Sequence, residues 1–348
     1  MIHSVFHTTE RLKIHALEKD MDTTKEVVVF LHGNASSSVF WKEIMEKLPD
    51  TYRAIAPDLR GYGKTEDKLI DATRGFGDQT DDIIGLMDHL GIKKFHVAGH
   101  SMGGGVIYML LGHHSSRILS ATLADPVSPY GFGGTRGLDG EPVTEDFAGT
   151  GAGVVNPEFA RRISINDRTE EDPNASPRVV MNSFYWKPPF RAANEEELLD
   201  GLLEEKIGDK KYPGDAVESE NWPGTAPGKF GPVNAASPKY VQGLAQDVIN
   251  APIKPPVLWV RGSDDQIVSN ESLFDIATLG KLGLVPGYPG EDICPPQPMV
   301  DQTRYVLEQY RKNGGSFEEE VIEGTGHSPF IEKPEEFMIH FKRNLSHA

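Results

Sequence analysis

The sequence predicts an α/β protein: a mostly parallel central sheet with helices on both faces, interrupted by one large insertion. Three observations carry this expectation. Short β-rich runs alternate with helix-period runs through residues 26–125 and again from 253 onward, the rhythm of a parallel sheet covered on both sides. One such run leads straight into Gly99-His100-Ser101-Met102-Gly103, a serine between glycines where a strand should give way to a helix. Between the two rhythmic stretches, residues 126–252 are rich in Gly, Pro, Asn and charge, and the alternation stops.

The elements follow in order. Residues 26–31, Glu-Val-Val-Val-Phe-Leu, form the clearest strand, apolar enough to be buried on both faces. Further strands are predicted over 52–58, 94–99, 118–124, 256–261 and 319–323. Helices are predicted over 40–48, 79–90, 102–112, 300–312 and 334–345. In the second of these, Ile83, Ile84, Met87 and Leu90 fall on one face at helical spacing. Inside the insertion, 195–206 reads as an acidic amphipathic helix with a solvated face. The resulting organisation is a core in two parts, 1–125 and 253–348, with a cap inserted at 126–252. A Gly/Pro-rich excursion at 273–298 lies within the second part.

Composition narrows the function. The formal net charge of -17 repels nucleic acid and leaves a small-molecule substrate as the expected partner. No run of about 18 or more apolar residues occurs, so no membrane span is expected. The N-terminal residues lack the charged start and apolar run of a secretory signal, which points to the cytoplasm. The single cysteine, Cys294, allows no intramolecular disulfide and has no basic neighbour in sequence to stabilise a thiolate. No close His/Asp cluster has ligand spacing, so neither a metal nor another cofactor is expected. The oligomeric state does not follow from the sequence.

The glycine-flanked serine has a mechanical reading. A serine on a sharp strand-to-helix turn lifts its hydroxyl above the strand ends and aims the first helical N–H groups at a reacting oxygen. The turn is so tight that the residues two away on either side must be glycine, as Gly99 and Gly103 are. Gly104 and Gly105 would let the helix lie close to the sheet.

With this motif in its context, the chain resembles the α/β-hydrolase family in its serine-nucleophile, esterase- or lactonase-like form. The resemblance extends to both ends of the chain. His32-Gly33-Asn34-Ala35 is similar to the family's H-G-x segment, and Asp58-Leu59-Arg60-Gly61-Tyr62-Gly63 to its D-x-R-G-x-G segment, which is architectural. Gly262-Ser263-Asp264-Asp265-Gln266-Ile267-Val268 resembles the segment carrying the acid, and Gly324-Thr325-Gly326-His327-Ser328-Pro329-Phe330 the segment carrying the base. The resemblance implies Ser101 as nucleophile, His327 as base and Asp265 as acid. Asp264 is the neighbouring register, and Asp125, after an earlier strand, stands where some members carry the acid. It implies an oxyanion hole from the N–H groups of Asn34 and Met102. Epoxide hydrolases and haloalkane dehalogenases of this fold use Asp at the elbow, so Ser101 departs from their chemistry.

The expected reaction is cleavage of a carboxylic ester or lactone through an acyl-enzyme. The same residues would serve an amidase, a thioesterase, an acyltransferase or a carbon–carbon hydrolase. A non-catalytic ligand receptor on this fold is the alternative of another class. Phe184, Tyr185 and Trp186 of the cap, with Trp41 and Phe330 of the core, are candidates to wall a pocket for an apolar or aromatic substrate. The excursion at 273–298 leaves the core just beyond Asp265 and is expected to join the rim.

Overall fold

The computed structural model describes residues 1–346. Eight strands form one sheet: β1 (Ile2–Thr8), β2 (Lys13–Lys19), β3 (Glu26–Leu31), β4 (Tyr52–Pro57), β5 (Phe95–His100), β6 (Ile118–Ala124), β7 (Val257–Gly262) and β8 (Phe317–Ile322). Their spatial order is β1-β2-β4-β3-β5-β6-β7-β8. The six strands from β4 to β8 are parallel; β1 and β2 form an antiparallel edge.

Strand alternation sorts side chains into two layers. Val28 and Phe30 face an aromatic layer with Trp41, Phe330, Phe337 and Phe341. Val27, Val29 and Leu31 face the other layer, with Leu86 and Met87 of α1 (Gly77–His89) and Val106 and Leu110 of α2 (Met102–His113). The sheet is therefore buried on both faces, which explains the near-continuous apolar run of β3.

The sequence reading missed β1 and β2. Buried polar groups mask the pattern of β2: His15 bonds Asp58 at 2.6 Å, and Glu18 accepts from Arg53 at 2.8 Å and lies 2.5 Å from His7. Strand β8 begins two residues before the expected start at 319. Its acidic side chains are satisfied by Arg261, Arg304 and Arg343 rather than by apolar packing.

Residues 126–252 contain short helices and two small antiparallel ribbons, Thr135–Arg136 with Glu141–Pro142 and Ala216–Glu218 with Thr225–Pro227. Helix α3 (Glu195–Leu203) stops short of 206. Leu198, Leu199 and Leu202 bury one side of it. Glu205, read as part of a solvated face, is only 7% exposed, and burial pushes its carboxyl well above the usual range. Helix α4 (Leu244–Ile249) lies against α2 in the second layer of the core, with Val248 and Ile249 buried there. No helix among the described residues is long and apolar enough to cross a membrane.

Candidate active site

Ser101 sits between β5 and α2 with φ 53 and ψ -116, a conformation that costs a non-glycine residue on the order of 1–3 kcal/mol and persists only where surroundings enforce it. Three main-chain bonds do so. Ser101 N–H donates to Ala124 (3.0 Å), and its carbonyl accepts from Gly104 (2.9 Å) and Val127 (3.0 Å). The flanking glycines are required by approach: a Cβ on Gly99 would stand 2.7 Å from the Gly103 carbonyl oxygen, and one on Gly103 would stand 2.5 Å from that of Leu31.

Asp265 and His327 come together from loops after β7 and β8. His327 Nδ1–H donates to Asp265 Oδ2 at 2.8 Å, and both side chains are at most 4% exposed. The other oxygen of Asp265 accepts from the N–H groups of Ile267 (2.7 Å) and Val268 (3.1 Å). Asp264 points elsewhere: it pairs with Lys187 at 2.7 Å, which holds its carboxyl below the usual range. The histidine loop and the serine elbow are joined through His100. Burial first, then the neighbouring His327, hold the His100 imidazole well below its ordinary range. As the neutral ring, its Nε2–H donates to the His327 carbonyl at 2.7 Å, and the two rings lie 4.6 Å apart. The half-buried Ser101 hydroxyl makes no hydrogen bond to the imidazole among the described residues, and such contacts often tighten only when substrate is bound.

His32 and Gly33 run beside the elbow. Burial keeps His32 neutral; its Nε2 accepts from Leu59 N–H at 2.9 Å and its Nδ1–H donates to the Gly33 carbonyl at 2.8 Å. This fixes the turn that presents Asn34. Met102 is the first residue of α2, where N–H groups have no intrahelical partner. The sequence reading missed Tyr62, whose hydroxyl donates to Asn34 Oδ1 at 2.9 Å and touches Met102 Sδ at 3.4 Å. It thus bridges the two expected oxyanion residues. Its position inside the D-x-R-G-x-G segment was the available signal, read there as architecture alone.

Asp125 is the alternative acid that the sequence offers after an earlier strand. The fold places it with Asp265 and His327 so that one ligating atom of each lies within 4.8 Å of the others. Sequence spacing could not reveal this cluster, because its members follow three different strands.

The aromatic candidates separate. Trp41 and Phe330 are fully buried and stacked at 4.2 Å, with the Trp41 indole donating to the Leu31 carbonyl at 3.0 Å. Tyr185 is buried and donates to the Ala35 carbonyl at 2.9 Å. Trp186 is buried, and its backbone would collide with a Cβ on Gly326, beside His327. Glu332 joins the same two segments, accepting from Lys187 N–H (3.0 Å) and Gly326 N–H (2.6 Å); burial pushes its carboxyl up to about 7. Phe184 is half-buried and meets Phe274, at the start of the excursion, edge-on at 5.1 Å. A second aromatic contact, Trp222 on Tyr288 at 5.4 Å, also joins the insertion to the excursion. A surface cleft of about 420 Å³ opens beside Pro188, Pro189 and Phe190.

Comparison with known proteins places this geometry in context. A model of the alpha/beta hydrolase fold family matches residues 26–283. The dihydrolipoyllysine-residue acetyltransferase component of the acetoin cleaving system of Cupriavidus necator is 38% identical over 108 residues, 31% of this chain and 28% of that protein. Epoxide hydrolase B of Mycobacterium tuberculosis is 28% identical over 170 residues, 46% of this chain and 47% of that protein. The chain thus spans less than half the length of these curated relatives. A serine hydrolase from the hydrocarbon-degrading bacterium Cycloclasticus zankles superposes with a TM-score of 0.61 at 16% identity, covering 99% of this chain and 97% of that one, a likeness of fold.

Proposed function

The chain belongs to the alpha/beta hydrolase fold family, and from that premise we propose that it is a serine hydrolase cleaving a carboxylic ester or lactone. The observation that carries the reading is the strained Ser101 at the elbow, tied through His100 to the loop holding the His327–Asp265 pair. An aspartate elbow would support epoxide opening; a serine supports acyl transfer.

In this mechanism Ser101 Oγ attacks the carbonyl carbon while His327 Nε2 takes the hydroxyl proton. Asp265 keeps the imidazole in the tautomer that leaves Nε2 free to accept. The N–H groups of Asn34 and Met102 bind the oxyanion, each donor contributing on the order of 3 kcal/mol to the transition state. His327 then returns the proton to the leaving alkoxide. Water, activated by the same imidazole, attacks the acyl-serine and releases the acid. Residues 126–252 serve as the cap, and Phe184 with Phe274 supports an apolar or aromatic substrate. A cytosolic site fits the single, buried cysteine.

The test is covalent. A fluorophosphonate should add one equivalent at Ser101, and Ser101→Ala should hydrolyse no member of a panel of aryl esters and lactones. Stoichiometric addition at another residue, with Ser101 unmodified, would overturn the reading.

A further inference from the structure

Asp125 follows the last residue of β6 with φ 41, in the left-handed region that aspartate enters more readily than most non-glycine residues. Its N–H donates to the Val260 carbonyl at 2.9 Å, and its Oδ1 accepts from Gly262 N–H at 2.9 Å. These bonds hold the carboxyl against the neighbouring strand. Its side chain is buried, and Oδ2 has no partner that donates to it. The groups facing it are the carboxyl of Asp265, the imidazole of His327 and, on the strand alongside, the guanidinium of Arg261.

Two carboxyls this close in a dry site cannot both be anions. The donor count says which one keeps the charge. Asp265 accepts three N–H groups, from Ile267, Val268 and His327, all of which favour an anion. Asp125 accepts a single backbone N–H. Its unpaired oxygen is therefore the place for a proton, and the Asp265 carboxylate, with an oxygen within 4.8 Å of an Asp125 oxygen, is the acceptor that faces it.

We propose that Asp125 is a positioning residue that works as a neutral acid: its Oδ2–H donates to the Asp265 carboxylate and fixes that carboxylate for His327. Burial, then the charge of Asp265, push the Asp125 carboxyl well above its ordinary range, in the direction this requires. A hydrogen bond from an acid to a carboxylate is short and strong. It completes the donor set of Asp265 and keeps that carboxylate oriented toward His327. The proposal rests on the serine-hydrolase reading for its catalytic consequence, but not for the protonation state.

Two measurements test it on the full-length chain. The first is the infrared difference spectrum of wild type minus Asp125→Asn at neutral pH. A protonated-carboxyl carbonyl band lost in the variant is expected; the difference removes bands from other buried acids such as Glu205. Absence of that difference band overturns the proposal whatever the enzyme does. The second is kinetic. Asp125→Asn keeps an acceptor for Gly262 and a donor for Asp265, so kcat should stay within about threefold of wild type. Asp125→Leu removes the donor, and should lower kcat about tenfold or more and move the acidic limb of the kcat/KM profile. If Asp125→Asn loses activity as severely as Asp265→Asn, Asp125 is the triad acid and the proposal fails. Fluorophosphonate labelling away from Ser101 would sink the serine-hydrolase reading while leaving the infrared result standing.

Discussion

The two halves of the proposed catalytic apparatus are held in place by different means. Ser101 is fixed by main chain: a strained φ, three backbone hydrogen bonds and glycines that admit close approach. The Asp265–His327 pair is fixed largely by side chains, beside the two local N–H groups of Ile267 and Val268 that hold Asp265. His100, Glu332 and Asp265 itself supply the bonds, across separations of 227, 6 and 62 residues. The first kind of support is signalled by five consecutive residues, although two of its bonds reach Ala124 and Val127, at and just beyond the end of the next strand. The second exists only after the sheet has assembled, and it is where charge and protonation matter most. The nucleophile should therefore be sensitive to backbone shape, and the base to the electrostatics of its neighbours.

The largest expected effect tests the side-chain half directly. Asp265→Asn should lower kcat by on the order of 10³–10⁴-fold, because the imidazole loses the partner that sets its tautomer. Asp264→Asn should change kcat by less than about threefold, since that carboxylate is engaged with Lys187 at the surface. Steady-state kinetics on one aryl ester decides it. Comparable losses in the two variants would mean that the hydrogen bond at 2.8 Å does not identify the acid.

Next is the layer beneath the site. Trp41→Ala should cost about 3–5 kcal/mol of unfolding free energy by denaturant titration, as expected for emptying a stacked, fully buried ring. A loss below about 1 kcal/mol, with altered substrate ranking instead, would move Trp41 from the core to the pocket wall.

A smaller effect concerns the contact between insertion and excursion. Phe274→Ala removes the ring that meets Phe184 edge-on. Such a pair contributes about 0.5–1.5 kcal/mol beyond its burial. KM for bulky aryl esters should rise several-fold while that for a small acetyl ester stays near wild type. Unchanged ranking across the panel would assign substrate choice elsewhere.

The smallest is a pH effect at Glu332. Its folded-state carboxyl is raised from 4.5 to about 7 by burial. Between those values the folded chain keeps a proton that the unfolded chain has lost, so this group's contribution to stability falls as pH rises through that window. Glu332→Gln should flatten the decline of Tm between pH 5 and pH 7, a range chosen to lie inside that window. A decline of equal slope in the variant would show that other groups set it.

What the sequence determined by itself was local. The apolar run of β3, the helical face of α1 and Gly99 of the elbow encode their structure within a few residues, because strand burial, helix period and the approach of Gly99 to Gly103 act over one turn or one pleat, whereas Gly103 answers to Leu31 on another strand. The motif resemblance likewise placed Ser101, Asp265 and His327 in chain order. The edge strands β1 and β2 were illegible, since polar side chains satisfied by distant partners look like loop residues until those partners are known. Tertiary structure alone decided which carboxylate meets the imidazole, that Tyr62 bridges Asn34 and Met102, and that Glu205 is buried. It alone brought Asp125 against Asp265, because three strand ends converge there from remote parts of the chain. Protonation in such a place depends on burial and on neighbouring charge, and both are properties of the assembled sheet.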